Sequence, residues 1–276
     1  MSRQISPLLL AAGYGTRLQP FTSNWPKCLM PIKGKPLLEY WLDSVRQLTT
    51  EKVLVNTHYL AEIVQSFLDR PVFKQWVQGI YEPELKGTAG TLRANAKALR
   101  DTTILLVHAD NFCQCDFLNF LMFHQTSRPK HCQITIMTFH TQTPSTCGIV
   151  EIDADGVVIG LHEKLQSPPG NLANGAVYLL EPEVLQWICE NPEVTDFSTQ
   201  VLPHFIGRIA TWHNEGTHID IGSIEALREA QVRASHEAAA ITETNDDWSV
   251  QFASHPIHAQ IKYGITPRSP EPLNTL

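Results

Sequence analysis

Short apolar runs alternate with amphipathic stretches along the first half of the chain. Residues 6–12 are mostly apolar and typical of a buried strand, whereas in 35–48 the apolar residues recur at the spacing of one helical face. The same pattern predicts, in order, strand 53–57, helix 60–68, strand 78–81, helix 91–99 and strand 103–107. Strands that alternate with helices build βαβ units, so the sequence predicts a mostly parallel sheet with helices on both faces.

The second half of the chain has a different pattern, with short strands and little helix between them. Strands are predicted at residues 133–139, 148–152, 157–162 and 175–180, and the Asp-Ala-Asp-Gly segment at 153–156 is typical of a hairpin turn. Helices are predicted at 181–190 and 224–240, the second with Ser223 as its N-cap and Glu225 in its first turn. A βαβ half followed by a strand-rich half indicates one mixed sheet, or two fused subdomains with a common cleft.

The pattern fades towards the C-terminus. From about Asp246 the periodicity disappears and prolines accumulate, so we expect an irregular extension there. We therefore predict a main domain over residues 1–240, with halves at about 1–130 and 131–240, and a C-terminal extension over 241–276.

Composition argues against several kinds of partner. The net charge of -7 at pH 7 disfavours nucleic acid, because a phosphate backbone rewards clustered Lys and Arg. No run approaches the ~20 apolar residues of a membrane span, and the apolar run at 7–12 is too short for a signal peptide. The six cysteines include no C-x-x-C pair, so unpaired thiols in a reducing cytosol are expected. We expect a cytoplasmic protein with no membrane and no nucleic-acid partner.

The stretch at residues 8–31 is the most informative chemically. A buried strand runs into Gly-Tyr-Gly-Thr at 13–16, and Arg17 and Lys27 follow. Glycines let backbone N–H groups approach phosphate oxygens, while Arg adds a forked cation and Lys a compact one. Two familiar phosphate motifs are excluded, because G-x-G-x-x-G fails at Leu18 and no G-x-x-x-x-G-K-[ST] occurs. A small phosphorylated ligand is the predicted partner, and a plain glycine turn is the alternative.

The pattern G-x-G-T-R-x(9)-K, which ends in P-K-C-L-M-P-I, resembles the signature of the sugar-1-phosphate nucleotidyltransferases, and the similarity extends to about Arg233. The resemblance implies an α/β fold with a Rossmann-like, three-layer α/β/α core and a mixed, mainly parallel sheet. It also implies that Arg17 and Lys27 are catalytic and bind a nucleoside triphosphate, and that the nucleotide is further contacted by Leu10, Ala11, Ala12, Gly13, Gly15 and Thr16.

A second segment, E-P-E-L-K-G-T-A-G at residues 82–90, precedes a predicted helix. The N–H groups at the N-terminus of a helix suit an anionic or polar ligand, although a plain capping loop would explain these residues as well. The resemblance implies that such a segment contacts the base and ribose of the nucleotide, here through Glu84, Gly87, Thr88, Ala89 and Gly90.

Two aspartates each follow an apolar strand. Asp110 comes after the strand at 103–107, and Asp220 lies in His-Ile-Asp-Ile-Gly at 218–222. Ligands of open α/β sheets bind at the carboxyl ends of strands, and carboxylate oxygens suit a hard cation. Either residue alone has an alternative role as a helix cap or turn former. The resemblance implies that Asp110 and Asp220 together bind Mg²⁺.

Residues of the second half complete the expected site. The resemblance implies that Lys164 is catalytic and holds the sugar phosphate, and that the sugar hydroxyls are contacted by Gly148, Glu163, Asn174 and Gly175. A solvent-exposed Glu-Lys pair is the alternative for residues 163 and 164. His108 and Cys147 depart from the residues that relatives commonly have there. The spacing His255-x-x-His258 lacks a cysteine or carboxylate partner, so no metal site is expected there.

Together these features predict transfer of a nucleoside monophosphate from a nucleoside triphosphate to a sugar 1-phosphate, with release of pyrophosphate. The attacking phosphate oxygen is already ionised near neutral pH, so no general base is required. The 82–90 loop and the F-S-T-Q-V-L-P stretch near Phe197 look most like those of guanylyltransferases for mannose or heptose 1-phosphate. The alternatives are uridylyl or thymidylyl transfer to another sugar phosphate, a cytidylyltransferase for a non-sugar phosphate, a glycosyltransferase, and a catalytically silent nucleotide-binding regulator. A monomer and a homo-oligomer are both open.

Overall fold

Nine strands form the central sheet of the computed structural model, which describes residues 3–234 and 246–263. The strands of all the sheets, in chain order, are β1 (Ile5–Leu10), β2 (Pro31–Ile32), β3 (Lys35–Pro36), β4 (Val53–Thr57), β5 (Val77–Tyr81), β6 (Thr103–His108), β7 (Asn111–Gln114), β8 (Ile134–His140), β9 (Gly148–Ile152), β10 (Val158–Glu163), β11 (Leu172–Leu180), β12 (Ile209–His213) and β13 (Thr217–Asp220). Two small sheets lie beside the large one: β2 pairs with β3, and β7 pairs with β13.

The helices follow the same chain order. They are α1 (Leu37–Arg46), α2 (Ala61–Leu68), α3 (Thr88–Ala94), α4 (Ala96–Leu99), α5 (Phe117–Met122), α6 (Pro182–Glu190), α7 (Leu202–His204), α8 (Ile224–Arg233), α9 (Asp247–Ala253) and α10 (Ile257–Tyr263). Short 3₁₀ turns occur at Thr16–Leu18, Phe21–Ser23, Lys27–Leu29 and Pro144–Thr146, and π-helical turns at Phe123–Ser127 and Phe197–Val201.

The first half of the large sheet is parallel. β6, β1, β4 and β5 lie side by side in that order, and β1 pairs with β6 over its whole length, from Ile5–Thr103 to Leu10–His108. β11 lies antiparallel to β6 and connects this half to the strands of the second half. Those strands form two branches, with β9 and β10 on one and β8 and β12 on the other. The mixed sheet and α/β class predicted from the sequence are therefore confirmed.

Side chains of the parallel strands alternate between two hydrophobic cores, one on each face of the sheet. On one face Leu9 and Leu105 belong to the core that contains α1, α2, α5 and α8. On the other face Leu8 and Leu106 belong to the core that contains α3 and α6. Strands buried on both faces need apolar residues at every position, so they appear in the sequence as continuous apolar runs. The helix–sheet–helix layering of the prediction follows from this burial.

Two predicted helices have different bounds in the structure. The helix predicted at 91–99 is two helices, α3 and α4, separated at Asn95, whose side-chain Nδ2–H donates to the carbonyl of Thr91 at 2.8 Å. The helix predicted at 224–240 begins as expected, because the Ala226 N–H donates to Ser223 Oγ at 3.1 Å. It ends at Arg233, and residues 235–240 of that prediction lie outside the described residues.

The C-terminal extension differs from the expected irregular tail over residues 247–263, where α9 and α10 form. These helices cover Trp25, which lies two residues before Lys27. The ring centroids of Trp25 and His255 are 4.2 Å apart, and Phe252 stacks on Trp25 at 5.8 Å. His258 Nε2 lies 2.8 Å from the carbonyl oxygen of Phe252, so this imidazole also belongs to the packing. Residues 241–245 and 264–276 lie outside the described residues.

Arg70 anchors the start of α9 to the main domain. Its guanidinium donates through Nε to Asp246 at 2.8 Å and through Nη1 to Glu39 on α1 at 2.9 Å. The Arg70 side chain is only 3% exposed, so the two carboxylates compensate a cation that burial would otherwise penalise. Asp246 also accepts the N–H of Ser249 and caps α9. This buried group fixes the start of the segment against the main domain.

The six cysteines are all free thiols. Within residues 3–234 and 246–263, every helix is too short or too polar to cross a membrane.

We expect Phe252→Ala to lower the free energy of unfolding by about 3 kcal/mol, because truncating a buried aromatic ring forfeits its burial and leaves a cavity. Phe252 is 5% exposed and packs against Trp25 and Trp248. Urea denaturation measures the change, with Val250→Ala as the control, since Val250 is 62% exposed on the same helix. Equal values for the two variants would show that the docking of α9 does not stabilise the fold.

Candidate active site

A cavity of about 230 Å³ opens at the carboxyl ends of β1, β4 and β6. Parallel strands end at the same edge of a sheet, and the loops that leave them there can converge on one ligand. The cavity brings together many of the residues predicted to contact the nucleotide. Its wall is formed by Leu10, Ala11, Ala12, Gly13, Gly15, Lys27, Cys28, Asn56, Glu82, Leu85, Gly87, Thr88, Thr91, His108 and Asp110.

The loop after β1 is held by hydrogen bonds from neighbouring elements. Ala11 N–H donates to Asn56 Oδ1 on β4 at 2.8 Å, and Thr22 Oγ–H donates to the carbonyl of Gly15 at 2.8 Å. Gly15 has φ +64, and a Cβ there would lie 2.9 Å from Thr22 Cγ2, so the turn requires glycine. Gly13, by contrast, has no atom within 4 Å of a built Cβ. The space above Gly13 therefore belongs to the cavity.

Two cations and two carboxylates meet beside this loop. Lys27 Nζ donates to Asp110 Oδ2 at 2.8 Å and to Asp220 Oδ1 at 3.1 Å, and Arg17 Nη2 donates to Asp220 Oδ2 at 2.8 Å. The Lys27 side chain is 6% exposed, whereas that of Arg17 is 65% exposed. The structure thus groups four of the residues predicted from the sequence as phosphate and metal ligands, whereas Lys164 lies outside this cluster.

The small sheet of β7 and β13 explains how the two aspartates meet. Its antiparallel register pairs Asp220 with Asn111, the residue after Asp110. The two aspartates therefore lie at the same end of this two-stranded ribbon, although 109 other residues separate them in the chain. The apolar strand expected before Asp220 is β13, whereas the four-residue strand β7 and its pairing with β13 were not predicted from the sequence.

The charged groups in this cluster stabilise one another in their ionised forms. Burial alone would raise the pKa of Asp220, but the Lys27 ammonium and the Arg17 guanidinium outweigh it and hold the pKa below its usual value. The hydrogen bond to Asp220 in turn raises the pKa of Arg17. Near neutral pH both side chains are therefore ionised. Burial raises the pKa of the Cys28 thiol to about 12, so this cavity residue stays protonated and is not a nucleophile.

The donor set of the cluster fits a hard divalent cation. Among the residues that the structure describes, no group of three or more His, Cys, Asp or Glu side chains converges. The protein therefore offers two carboxylates, Asp110 and Asp220, and no protein cage. Mg²⁺ is commonly bound by one or two carboxylates, with phosphate oxygens and water as the other ligands. Asp110 and Asp220 are the residues that would hold it.

A buried carboxylate in the cavity wall, Glu82, was not predicted from the sequence. Glu82 is 1% exposed and lies at the carboxyl end of β5. Its Oε1 accepts Thr91 Oγ–H at 2.6 Å and Asn56 Nδ2–H at 3.3 Å, and its Oε2 accepts Lys86 N–H at 3.3 Å. The signal that identified Asp110, an acid directly after an apolar strand, applies to Glu82 as well.

The 82–90 segment is arranged differently from a free helix N-terminus. Gly87 and Thr88 line the cavity, whereas Ala89 and Gly90 are buried behind it. The N–H groups of Ala89 and Gly90 both lie close to the carbonyl oxygen of Thr195, at 2.9 and 3.4 Å. These two N–H groups are therefore already hydrogen-bonded within the protein. Glu84, also predicted as a nucleotide contact, is exposed and is not part of the cavity wall.

The residues predicted to contact the sugar form a second group on β9, β10 and β11. Gly148 pairs with Glu163 across β9 and β10, and Lys164 N–H donates to the carbonyl of Cys147 at 3.2 Å. Ala173 pairs with Ile149, so the next residue, Asn174, follows beside Gly148. The sheet register therefore brings Gly148, Glu163 and Asn174 together at one strand end.

His218 connects this second group to the aspartates. Its Nε2–H donates to the carbonyl of Gly175 at 2.7 Å, and its ring stacks on Phe139 at 4.2 Å. Burial lowers its pKa to about 4, so the ring is neutral near neutral pH. His218 lies two residues before Asp220 on β13. In the sequence His218 stands out only as part of the His-Ile-Asp-Ile-Gly motif, which predicts no separate role for it.

Comparisons with known proteins agree with this geometry. The sequence model of the family described as nucleotidyl transferase matches residues 6–237. A Sulfolobus acidocaldarius protein assigned as a mannose-1-phosphate guanyltransferase is 28% identical over 222 residues, which are 79% of this chain and 60% of that protein. A mannose-1-phosphate guanylyltransferase catalytic subunit beta of Drosophila pseudoobscura pseudoobscura is 31% identical over 201 residues, 71% of this chain and 53% of the relative. The chain thus spans little more than half the length of these relatives.

A solved structure shares the fold. It is that of a Bacillus anthracis protein assigned as a glucose-1-phosphate thymidylyltransferase, crystallised with sucrose. The TM-score is 0.72 at 20% identity, and the match covers 88% of this chain and 98% of the other.

We expect Gly15→Ala to lower the free energy of unfolding by about 1–3 kcal/mol, because the alanine would be strained at a positive φ and would press on Thr22. Gly13→Ala is the matched control two residues away, and it should change the stability by less than about 1 kcal/mol. Urea denaturation of both variants gives the comparison. If Gly15→Ala were no less stable than Gly13→Ala, the turn would not depend on glycine at position 15.

Proposed function

Because the chain belongs to the nucleotidyl transferase family, we propose that it transfers a nucleoside monophosphate from a nucleoside triphosphate to a sugar 1-phosphate and releases pyrophosphate. One observation carries this proposal. Lys27 and Arg17 join Asp110 and Asp220 in one hydrogen-bonded cluster, beside a glycine loop that opens into a cavity. Phosphoryl transfer needs mainly positioning and charge stabilisation, and this cluster can supply both.

The chemistry requires no proton acceptor. The acceptor's phosphate monoester has its second pKa near ~6, so its oxygen is already a nucleophile at neutral pH. The difficulty is repulsion between two anions as the acceptor phosphate approaches the α-phosphorus. Cations that are fixed before the reaction reduce this repulsion without reorganising during it. The Arg17 guanidinium is exposed beside Asp220, so an incoming phosphate group can reach it.

Lys27 can contribute a hydrogen bond to the triphosphate while keeping its present partners. An ammonium group has three N–H donors, and two of them are directed to Asp110 and Asp220. Lys27 also lines the cavity, so the third donor has access to a phosphate oxygen. When bound to Asp110 and Asp220, Mg²⁺ would neutralise phosphate charge and orient the triphosphate.

The second group of residues suits the acceptor. Lys164 would pair with the sugar phosphate, and Glu163 lies next to it at the end of β10. The backbone at Gly148 and the side chains of Glu163 and Asn174 offer hydrogen-bond acceptors and donors for hydroxyl groups. Gly175 would contribute through its backbone, which His218 holds in place.

Glu82 favours guanine as the base. A carboxylate group can accept two hydrogen bonds side by side, and among the bases only guanine presents two adjacent donors, N1–H and the N2 amino group, on one edge. Glu82 lies in the cavity wall next to Gly87 and Thr88, so the base would meet it there. The two guanyltransferase relatives point the same way, and we therefore propose guanylyl transfer, with mannose or heptose 1-phosphate as acceptor.

We also propose that the protein works in the cytoplasm. Its six cysteines are all free, as is usual for proteins of a reducing compartment.

The first test is pyrophosphate release from four nucleoside triphosphates, each combined with a panel of sugar 1-phosphates in the presence of Mg²⁺. We expect release only when GTP and one sugar 1-phosphate are both present. Chelation with EDTA should abolish it, and added Mg²⁺ should restore it. Pyrophosphate release with a different triphosphate would correct the base. No pyrophosphate from any triphosphate, but release of a nucleoside diphosphate from a supplied nucleoside diphosphate sugar, would indicate a glycosyltransferase. Silence from a folded protein that binds nucleotide would contradict the proposed reaction.

We expect Arg17→Ala and Asp110→Asn each to lower kcat/KM by about 100-fold or more, because each removes fixed charge at the reacting phosphates. Arg233→Ala and Asp155→Asn are matched controls, since both residues are exposed and lie outside the cavity wall and the charge cluster. Thermal unfolding of all four variants separates lost activity from lost structure. Normal turnover in either site variant would remove that residue from the proposed mechanism.

A further inference from the structure

His108 stands where the two halves of the site meet. It is the last residue of β6, which lies between β1 and β11 in the sheet. Leu10, its partner on β1, begins the loop proposed to bind the nucleotide. β11, on the other side, carries Asn174, which is proposed to contact the sugar. A side chain that projects from this strand end can therefore reach a ligand that spans both halves.

One nitrogen of His108 has no protein partner. Nε2 is buried from solvent and makes no hydrogen bond within the described residues. Nearly all buried polar atoms in folded proteins have a hydrogen-bond partner, so an exception calls for a physical reason. His108 is also part of the cavity wall, together with Asp110 and Thr88. A ligand bound in the cavity would supply the missing hydrogen-bond partner.

The surroundings of His108 favour the sugar over the base. Its ring meets Tyr178 edge-on, with centroids 6.3 Å apart and planes at 67°. The Tyr178 hydroxyl accepts Asn174 Nδ2–H at 2.8 Å, so the imidazole is connected through Tyr178 to the proposed sugar contacts. Glu82, the residue that favours guanine, lies instead at the end of β5, three strands further from β11 than β6 is.

We propose that His108 Nε2 forms a hydrogen bond with one hydroxyl group of the sugar ring, and that His108 thereby determines which sugar 1-phosphates are accepted. This inference rests on the proposed function. A hydroxyl group both donates and accepts, so it satisfies the nitrogen in either tautomer of the ring. A site built to bond a hydroxyl rejects an analogue that lacks it, because the buried nitrogen is then left unpaired.

The test combines changes in the enzyme with changes in the substrate. Wild type, His108→Phe and His108→Gln are compared on the preferred sugar 1-phosphate and on its single-deoxy analogues. We expect His108→Phe to lower kcat/KM for the preferred substrate by about 10- to 100-fold, with an unchanged KM for the triphosphate. For one deoxy analogue, wild type and His108→Phe should be equally slow. His108→Gln keeps a side-chain donor and acceptor and should recover part of the loss.

The outcomes separate this inference from its alternatives. Equal losses for His108→Phe on every analogue would indicate a merely structural role and overturn the assignment. A raised KM for the triphosphate would make His108 a nucleotide contact and overturn it as well. Isothermal titration with GTP alone checks that the variants are folded, and if His108→Phe fails this check, His108→Gln carries the same comparison. No pyrophosphate release by wild type from any substrate pair would overturn the proposed function itself.

Discussion

The site depends on the ammonium group of Lys27, which holds two carboxylates that would otherwise repel each other. Asp110 and Asp220 come from distant parts of the chain, and both are hydrogen-bonded to this one nitrogen. Lys27 is almost completely buried, so the two carboxylates are also what makes its charge tolerable. The short ribbon of β7 and β13 positions the two aspartates, and Lys27 lies in the segment between β1 and β2. Cluster and fold therefore stabilise each other.

In the large sheet, β6 has a comparable role because it connects the two halves. It is parallel to β1 on one side and antiparallel to β11 on the other, so it joins the parallel half of the sheet to the strand-rich half. Its carboxyl end carries His108 and leads directly to Asp110. The ends of β1 and β6 supply the cavity, while β11 supplies the residues proposed for the sugar. One strand thus sets the spacing between the two proposed substrates.

The sequence predicted the parallel half well because continuous apolar runs identify strands that are buried on both faces. It also identified Arg17, Lys27, Asp110 and Asp220, which the structure brings into one cluster, while their roles remain proposals. It missed features that depend on distant contacts. The N–H of Ala89 is hydrogen-bonded to Thr195, and α9 packs on Trp25 and is bound by Arg70, which lie far from it in the sequence. Pairings of this kind leave no local signal in the chain.

The position of α9 and α10 has a consequence for synthesis of the protein. Trp25 is made early, whereas the residues that cover it are made after most of the chain. At about 5–20 residues per second, the interval is on the order of ten seconds or more. During that time the indole beside Lys27 lacks its aromatic neighbours while the parallel strands can already assemble. The segment that contains Trp25 and Lys27 is therefore among the last parts of a nascent chain to reach its final packing.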